Sequence, residues 1–201
     1  KKINGYISKM ASQGFRVIAV ASSLHNGTDL PVVQDDFNWK FEGLLALYDP
    51  PKKNVADVFK KLFEAKIEIK MITGDFPQTA LNIASQVGMS GCNRFLTGEQ
   101  VMTMTEDELR QEVKGVNIYA RMFPEAKLKV IEALKANGEI VAMTGDGVND
   151  APALKASHIG IAMGERGTEI ARQASDLILT DDNLEKVAEA IQQGRKIFSN
   201  L

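Results

Sequence analysis

The sequence holds only one cysteine and two histidines in 201 residues. A lone Cys92 cannot close an internal disulfide or build a cysteine-based metal cluster. It sits in the turn Ser90-Gly91-Cys92-Asn93, where a small residue without a chemical task is expected. His25 lies in a polar stretch and His158 opens an apolar run, and neither earns a functional assignment. Excess charge is also missing: 24 Lys and Arg stand against 26 Asp and Glu, a net charge of −2. With no basic stripe, nucleic acid is not an expected partner. No apolar run approaches the roughly 18 residues that cross a bilayer. The start, Lys1-Lys2-Ile3-Asn4-Gly5, lacks the apolar core of a signal peptide. These residues are therefore expected to be soluble. There is no internal repeat and no low-complexity tract.

What is present fits one sizeable core, or one domain with a piece of another: 44% of the residues are hydrophobic and 25% charged. From about residue 52, strand-like runs alternate with amphipathic ones. Val55, Val58, Phe59, Leu62 and Phe63 give residues 52–67 a helical stripe. Residues 67–72 then read as a strand ending at Thr73-Gly74-Asp75. Ala80, Ile83, Ala84 and Val87 mark the next helix, stopped by Gly88. Residues 117–120 form a short strand, and Pro124 opens a helix that Asn137-Gly138 closes. Strands follow at 139–143, 159–163 and 177–179, with helices from about Thr168 and Asn183. This alternation predicts an α/β fold with a parallel sheet covered on both faces. Residues 1–48 differ. A helix at 3–12 and strands at 16–21 and 41–47, around the turn-rich stretch 25–38, read as a hairpin-like α+β appendage. Asp49-Pro50-Pro51-Lys52 is the boundary, because successive prolines continue neither helix nor inner strand. Residues 89–115 look irregular except for a capped helix start at Thr105.

The chemistry concentrates at strand ends, where ligands bind in parallel α/β sheets. Met143-Thr144-Gly145-Asp146-Gly147-Val148-Asn149-Asp150-Ala151-Pro152-Ala153-Leu154 sets two carboxylates and an amide among glycines. Carboxylates this close repel unless a cation or a lysine neutralises them. Mg²⁺ suits such a loop, since it takes few protein oxygens and leaves room for phosphate; a surface turn rich in Gly, Asn and Asp is the plainer alternative. Thr73-Gly74-Asp75 repeats the Thr-Gly-Asp string, and Thr73 can donate to a phosphate oxygen. Asp75 could instead cap the following helix. Lys127, on the first turn of a helix, can neutralise a phosphoryl group or hold Asp150. Lys129 and Lys135 are expected to be solvated.

Together these strings resemble the P-type cation-transporting ATPases of the haloacid dehalogenase-like superfamily. The match runs through Leu47-Tyr48-Asp49-Pro50-Pro51-Lys52, Met71-Ile72-Thr73-Gly74-Asp75, Ala120-Arg121 with Pro124 and Lys127, and Met143 to Leu154. It continues in Ile159-Gly160-Ile161-Ala162-Met163-Gly164 and Ala174-Ser175-Asp176-Leu177-Ile178-Leu179, so nearly the whole chain is covered. The resemblance implies a Rossmann-like phosphorylation domain at 49–201, preceded at 1–48 by the end of a nucleotide-binding domain. It implies ATP and Mg²⁺ as cofactors. Asp146 and Asp150 become the metal-site residues, with Asp146 the Mg²⁺ ligand and Asp150 and Asn149 organising the phosphate and Lys127. Thr73 and Lys127 touch the transferred phosphoryl group. Gly74, Asp75 and Arg121 match positions around ATP, and Arg16 resembles the nucleotide-domain arginine that reaches the phosphates. An exposed strand-edge charge is the plainer account of Arg16. Lys52 replaces the family's usual arginine, which keeps the charge and loses the bidentate fork.

The family phosphorylates an aspartate in Asp-Lys-Thr-Gly-Thr, and that string is absent. Asp49 is no substitute, because Pro50 and Pro51 lack the N–H groups of a phosphate cradle. The resemblance thus implies a catalytically incomplete, cytoplasmic-side fragment of a membrane pump, missing a central strand and leaving unpaired edges inside its sheet. Its partners would be ATP and the transmembrane and actuator domains of the same polypeptide, while the transported cation binds elsewhere. The Asp181-Asp182-Asn183 region leans toward the calcium-pump-like branch. Two other readings stand beside this one: a soluble phosphatase of the superfamily, and a non-catalytic Mg²⁺ or phosphate-binding module.

Overall fold

The computed structural model describes residues 2–25 and 30–200. Helix α1 (Lys2–Ser12) ends at Gly14, whose φ of +87° suits glycine. Strands β1 (Phe15–Ser22) and β2 (Lys40–Tyr48) then pair antiparallel, from Phe15 against Tyr48 to Ser22 against Lys40, with a bulge at Val20/Ala21. This is the expected hairpin. Residues 26–29 of the turn-rich stretch lie outside the described residues; of the rest, Gln34–Asp36 make one 3-10 turn. Two side chains of a later helix dock the ribbon: Thr79 Oγ1 donates to the Phe15 carbonyl and Asn82 Nδ2 to that of Ser12. Ile18, Leu45 and Leu47 stay exposed on it.

After the prolines come α2 (Val55–Glu64), β3 (Met71–Ile72) and α3 (Pro77–Gln86). Helix α2 is shorter than the stripe predicted, because Lys66 turns to φ +60° and ends it. Only the last two residues of the expected strand 67–72 are paired. The Asp75 capping alternative is overturned: Phe76 is the N-cap of α3 and Pro77 its first residue, with no side-chain cap. Residues 89–115 are more ordered than expected, holding β4 (Leu96–Thr97), α4 (Gly98–Thr103) and α5 (Glu106–Glu112). Both helices start with a capping box, Thr97 with Gln100 and Thr105 with Glu108. The chain continues through β5 (Ile118–Ala120), α6 (Pro124–Ala136), β6 (Ala142–Gly145), α7 (Ala151–Ala156), β7 (Ile159–Met163), α8 (Glu169–Gln173), β8 (Leu177–Leu179) and α9 (Glu185–Ser199).

The parallel strands form two ladders rather than one sheet, β3-β5-β4 and β6-β7-β8. Among the described residues, β3 and β6 each have a single partner strand and are edges. The apolar core is nevertheless continuous, joining Tyr119 of β5, Val130 and Ile131 of α6, Met143 of β6, Leu154 of α7 and Ala162 of β7. Helix α6 is the central beam: six of its residues are buried, and it packs on α4, α5 and α7. Lys129 and Lys135, expected to be solvated, are half-buried with their ammonium groups on helix-end carbonyls. Lys129 Nζ donates to the carbonyls of Val101 (3.0 Å), Met102 (3.4 Å) and Met104 (2.6 Å), closing the C-terminus of α4. Lys135 Nζ does the same at α7 through Ala156 (2.5 Å).

The Thr105 backbone N–H, and then the Thr105 hydroxyl, hold the Glu108 carboxyl below its ordinary range. A depressed folded-state pKa gives stability above the unfolded value of about 4.3 that is lost as pH falls through the folded one. The margin of the parent chain over Glu108→Ala in urea unfolding should therefore be full at pH 6 and shrink steadily below about pH 4. A margin that stays constant with pH would remove the ionised cap from the account. Within the core, Ile131→Ala should cost about 2–5 kcal/mol in the same assay.

Candidate functional site

Strand β6 delivers the Thr-Gly-Asp-Gly loop at the carboxyl end of its ladder, and a 3-10 turn at Val148–Asp150 folds the loop back. Its last carboxylate is the clasp. Asp150 Oδ2 accepts the backbone N–H groups of Asp146 (3.3 Å) and Gly147 (3.2 Å), and Oδ1 accepts Lys127 Nζ at 2.6 Å. Gly145 makes the clasp possible, since a Cβ there would stand 2.6 Å from the Asp150 Cβ. Lys127 comes from the first turn of α6, entered through Pro124 at its first position. It is 9% exposed and Asp150 is 8% exposed, so the pair is buried. Burial makes each charge dependent on the other, and the two loop amides satisfy the remaining carboxylate oxygen. The repulsion expected between Asp146 and Asp150 is answered by this lysine. Asp146 itself remains exposed, as does Asn149, while the Asp146 carbonyl accepts the Thr168 N–H at 2.8 Å.

A second group gathers where β3 ends. Thr73 Oγ1 donates to Asp75 Oδ2 (3.1 Å) and accepts the Asp75 N–H (3.1 Å). Arg16 of β1 reaches Asp75 with Nε 3.9 Å from Oδ1, a loose and largely exposed contact. The Arg121 N–H donates to the Asp75 carbonyl, with Arg121 in the left-handed region at φ +53°. Gly98 accommodates that bend, because a Cβ there would lie 2.7 Å from the Arg121 carbonyl oxygen. Backbone bonds link this group to the first: Met122 N–H donates to Thr73 and Lys127 N–H to Phe123.

Beside Gly74 and Arg121 opens a cleft of about 310 Å³, lined also by Thr97, Glu99, Met122 and Phe123. Of these, only Gly74 and Arg121 are marked by the sequence; Thr97, Glu99, Met122 and Phe123 are not. The Thr-x-x-Gln signal of a capping box at Thr97 was the available clue. Thr168, which holds the Asp146 carbonyl, was noticed only as a helix start.

The residues present suit Mg²⁺. One exposed carboxylate, Asp146, stands beside a lysine-neutralised one, and no group of three His, Cys, Asp or Glu side chains is placed to hold a metal among the described residues. That donor set fits an ion that fills its sphere with water and phosphate oxygens, and it does not fit a closed protein cage.

The chain belongs to the haloacid dehalogenase-like hydrolases, whose family model matches residues 10–158. Among individual proteins it is similar to Calcium-transporting ATPase 1 of Saccharomyces cerevisiae, 42% identical over 99% of this chain and 21% of that protein. Calcium-transporting ATPase type 2C member 1 of Mus musculus is 42% identical over 96% of the chain and 20% of its own length. Cation-transporting ATPase pma1 of Synechocystis is 42% identical over the whole chain and 22% of its own length. The resemblance drawn from the motifs holds, and the chain spans about a fifth of these relatives. Among the described residues, no helix is long and apolar enough to cross a membrane.

Replacing Lys127 by Met keeps the stem and deletes the charge, so Asp150 would be left with two amide donors. Lys127→Met should destabilise the chain by about 3–5 kcal/mol in urea unfolding, the usual cost of orphaning one half of a buried pair. The Lys127→Met/Asp150→Leu double variant should recover part of that loss. Equal losses that simply add would show the pair to be uncoupled.

Proposed function

We propose that this chain is the cytoplasmic-side catalytic part of an ATP-driven cation pump, in which it positions ATP and Mg²⁺ for phosphoryl transfer to an aspartate and for hydrolysis of the aspartyl phosphate. The observation that carries the reading is the buried Lys127–Asp150 pair, which braces a loop while leaving the Asp146 carboxylate exposed. The near-complete coverage of the chain by calcium- and cation-transporting ATPases supports it.

In this reading Asp146 holds Mg²⁺, and Asp150 gives the loop and Lys127 their geometry. When bound, Mg²⁺ supplies charge neutralisation at the transferring phosphoryl group. Lys127 and Thr73 bind that group and Asn149 orients it. Gly74, Asp75, Arg121 and Arg16 hold ATP along the cleft. Residues 1–48 are the end of a nucleotide-binding domain and residues 49–201 the phosphorylation domain. The acceptor aspartate comes from a segment outside these residues, for no Asp-Lys-Thr-Gly-Thr occurs in them. The edges of β3 and β6 are where its strand would lie. Membrane and actuator domains of the same polypeptide are the natural partners, and the transported cation binds there.

The test is labelling with [γ-³²P]ATP, on this chain alone and after joining an upstream segment that carries the aspartate. The joined protein should form an acid-stable, hydroxylamine-labile phosphoprotein, and the isolated chain should not. Asp146→Asn in the joined protein should lower the rate by at least about 100-fold. Label on the isolated chain would refute its incompleteness, and no label on a folded joined protein would refute the pump reading.

A further inference from the structure

The loop at residues 164–167 has no assigned role, yet it leads directly to the N–H that holds the Asp146 carbonyl. It contains two glycines that nothing else could replace. A Cβ on Gly164 would stand 2.7 Å from the Leu179 carbonyl oxygen, and one on Gly167 would overlap the Met163 carbonyl. Asp182 governs the loop from the far side. Its Oδ1 accepts the Glu165 N–H at 3.1 Å and its Oδ2 the Arg166 N–H at 3.0 Å. The Asp182 N–H and the Gly164 N–H both donate to the Leu179 carbonyl. Arg172 closes the loop by donating from Nη1 to the carbonyls of Gly164 (2.9 Å) and Gly167 (2.8 Å). Asp182 is 5% exposed, and among the described residues it is one of three non-glycines at positive φ, here +50°. A buried carboxylate held in a left-handed conformation needs a reason.

The same residue is tied to the linker after the hairpin. Lys52 Nζ donates to the Asp182 carbonyl at 3.0 Å, across 130 positions of sequence. Asn54 Nδ2 donates to Asn183 Oδ1 at 3.1 Å, and that oxygen also accepts the Glu185 N–H at 3.0 Å. A path of hydrogen bonds thus runs from the Asp49-Pro50-Pro51-Lys52 linker through Asp182 to the 164–167 loop, and from Thr168 to Asp146.

We propose that Asp182 is a positioning residue for the Mg²⁺ site, setting through the 164–168 segment where the Asp146 backbone lies, and that Lys52 makes this setting respond to the linker. The proposal rests on the reading of Asp146 as the Mg²⁺ ligand. Burial works against ionisation of Asp182, but the amides of Glu165, Arg166 and Gly164, helped by Lys52, outweigh it and keep the carboxyl below its ordinary range. The group is thus a carboxylate at neutral pH, as the two N–H contacts require. Asparagine tolerates the left-handed conformation, so Asp182→Asn deletes the charge and one acceptor without straining the backbone.

The experiment is NMR on the ¹⁵N-labelled chain, reading Thr168 amide exchange and the Mg²⁺ response of the Gly145 and Gly147 amides. In Asp182→Asn, Thr168 exchange should accelerate and the Mg²⁺ dissociation constant should rise by about 10-fold. Lys52→Met, a change at an exposed side chain, should weaken Mg²⁺ by about 3-fold with the fold retained. Unchanged Mg²⁺ affinity in Asp182→Asn overturns the positioning role, and unchanged affinity in Lys52→Met overturns the coupling to the linker. Should Asp182→Asn fail to fold, Asp182→Gly, which also accepts positive φ and removes both acceptors, is read in the same way and decides the positioning role. If the parent amides ignore Mg²⁺, the metal reading itself has failed, and Thr168 exchange still reports whether Asp182 holds the loop.

Discussion

Lys127 and Asp150 are the contact on which the site depends. One belongs to α6, which packs on α4, α5 and α7, and the other to the loop that leaves β6, so a 2.6 Å bond fixes that loop to the central helix. Apolar packing makes the core continuous, but it is non-directional and does not fix a loop. The buried pair is directional. It costs desolvation on both sides, and that cost is offset only while the amides of Asp146 and Gly147 complete the carboxylate. The bond that fixes α6 to the β6 loop is thus also the one that shapes residues 145–150.

Much of this was legible in the residues. β7 and β8 fall where their apolar runs lie, and Pro124 and Asn137 bound α6 as their chemistry requires. The strand before Asp146 sits later than its apolar run, because backbone pairing with β7 carries the ladder to Gly145. Residues 89–115 misled the reading for another reason: α4 and α5 are short, and short helices show little periodicity. Their capping boxes were the stronger signal, and only one was used. Lys129 and Lys135 could not be read at all, since a carbonyl terminus in need of a donor is created only when another helix arrives.

At the site, residue types were legible and partnerships were not. The carboxylates of Asp146 and Asp150 look alike in sequence, five positions spanning both. Folding makes one a buried brace and leaves the other open to solvent. Arg16 and Asp75 meet because the hairpin docks on α3, a contact between segments about sixty residues apart that no local pattern encodes. Asp182 is marked in the sequence only within Asp181-Asp182-Asn183, as a leaning toward one branch of the family, with no sign of its bonding. Its weight comes from a left-handed backbone and from amides sixteen and seventeen positions away.

Gly145 shows how such a site can be damaged by a change that carries no charge. Its missing side chain is the space in which the Asp150 carboxylate lies. One methyl group there would push Asp150 off its amides and away from Lys127, and the molecule would register it as the loss of an ion pair. A position that scores as small and neutral in any substitution table is, in this fold, an electrostatic residue.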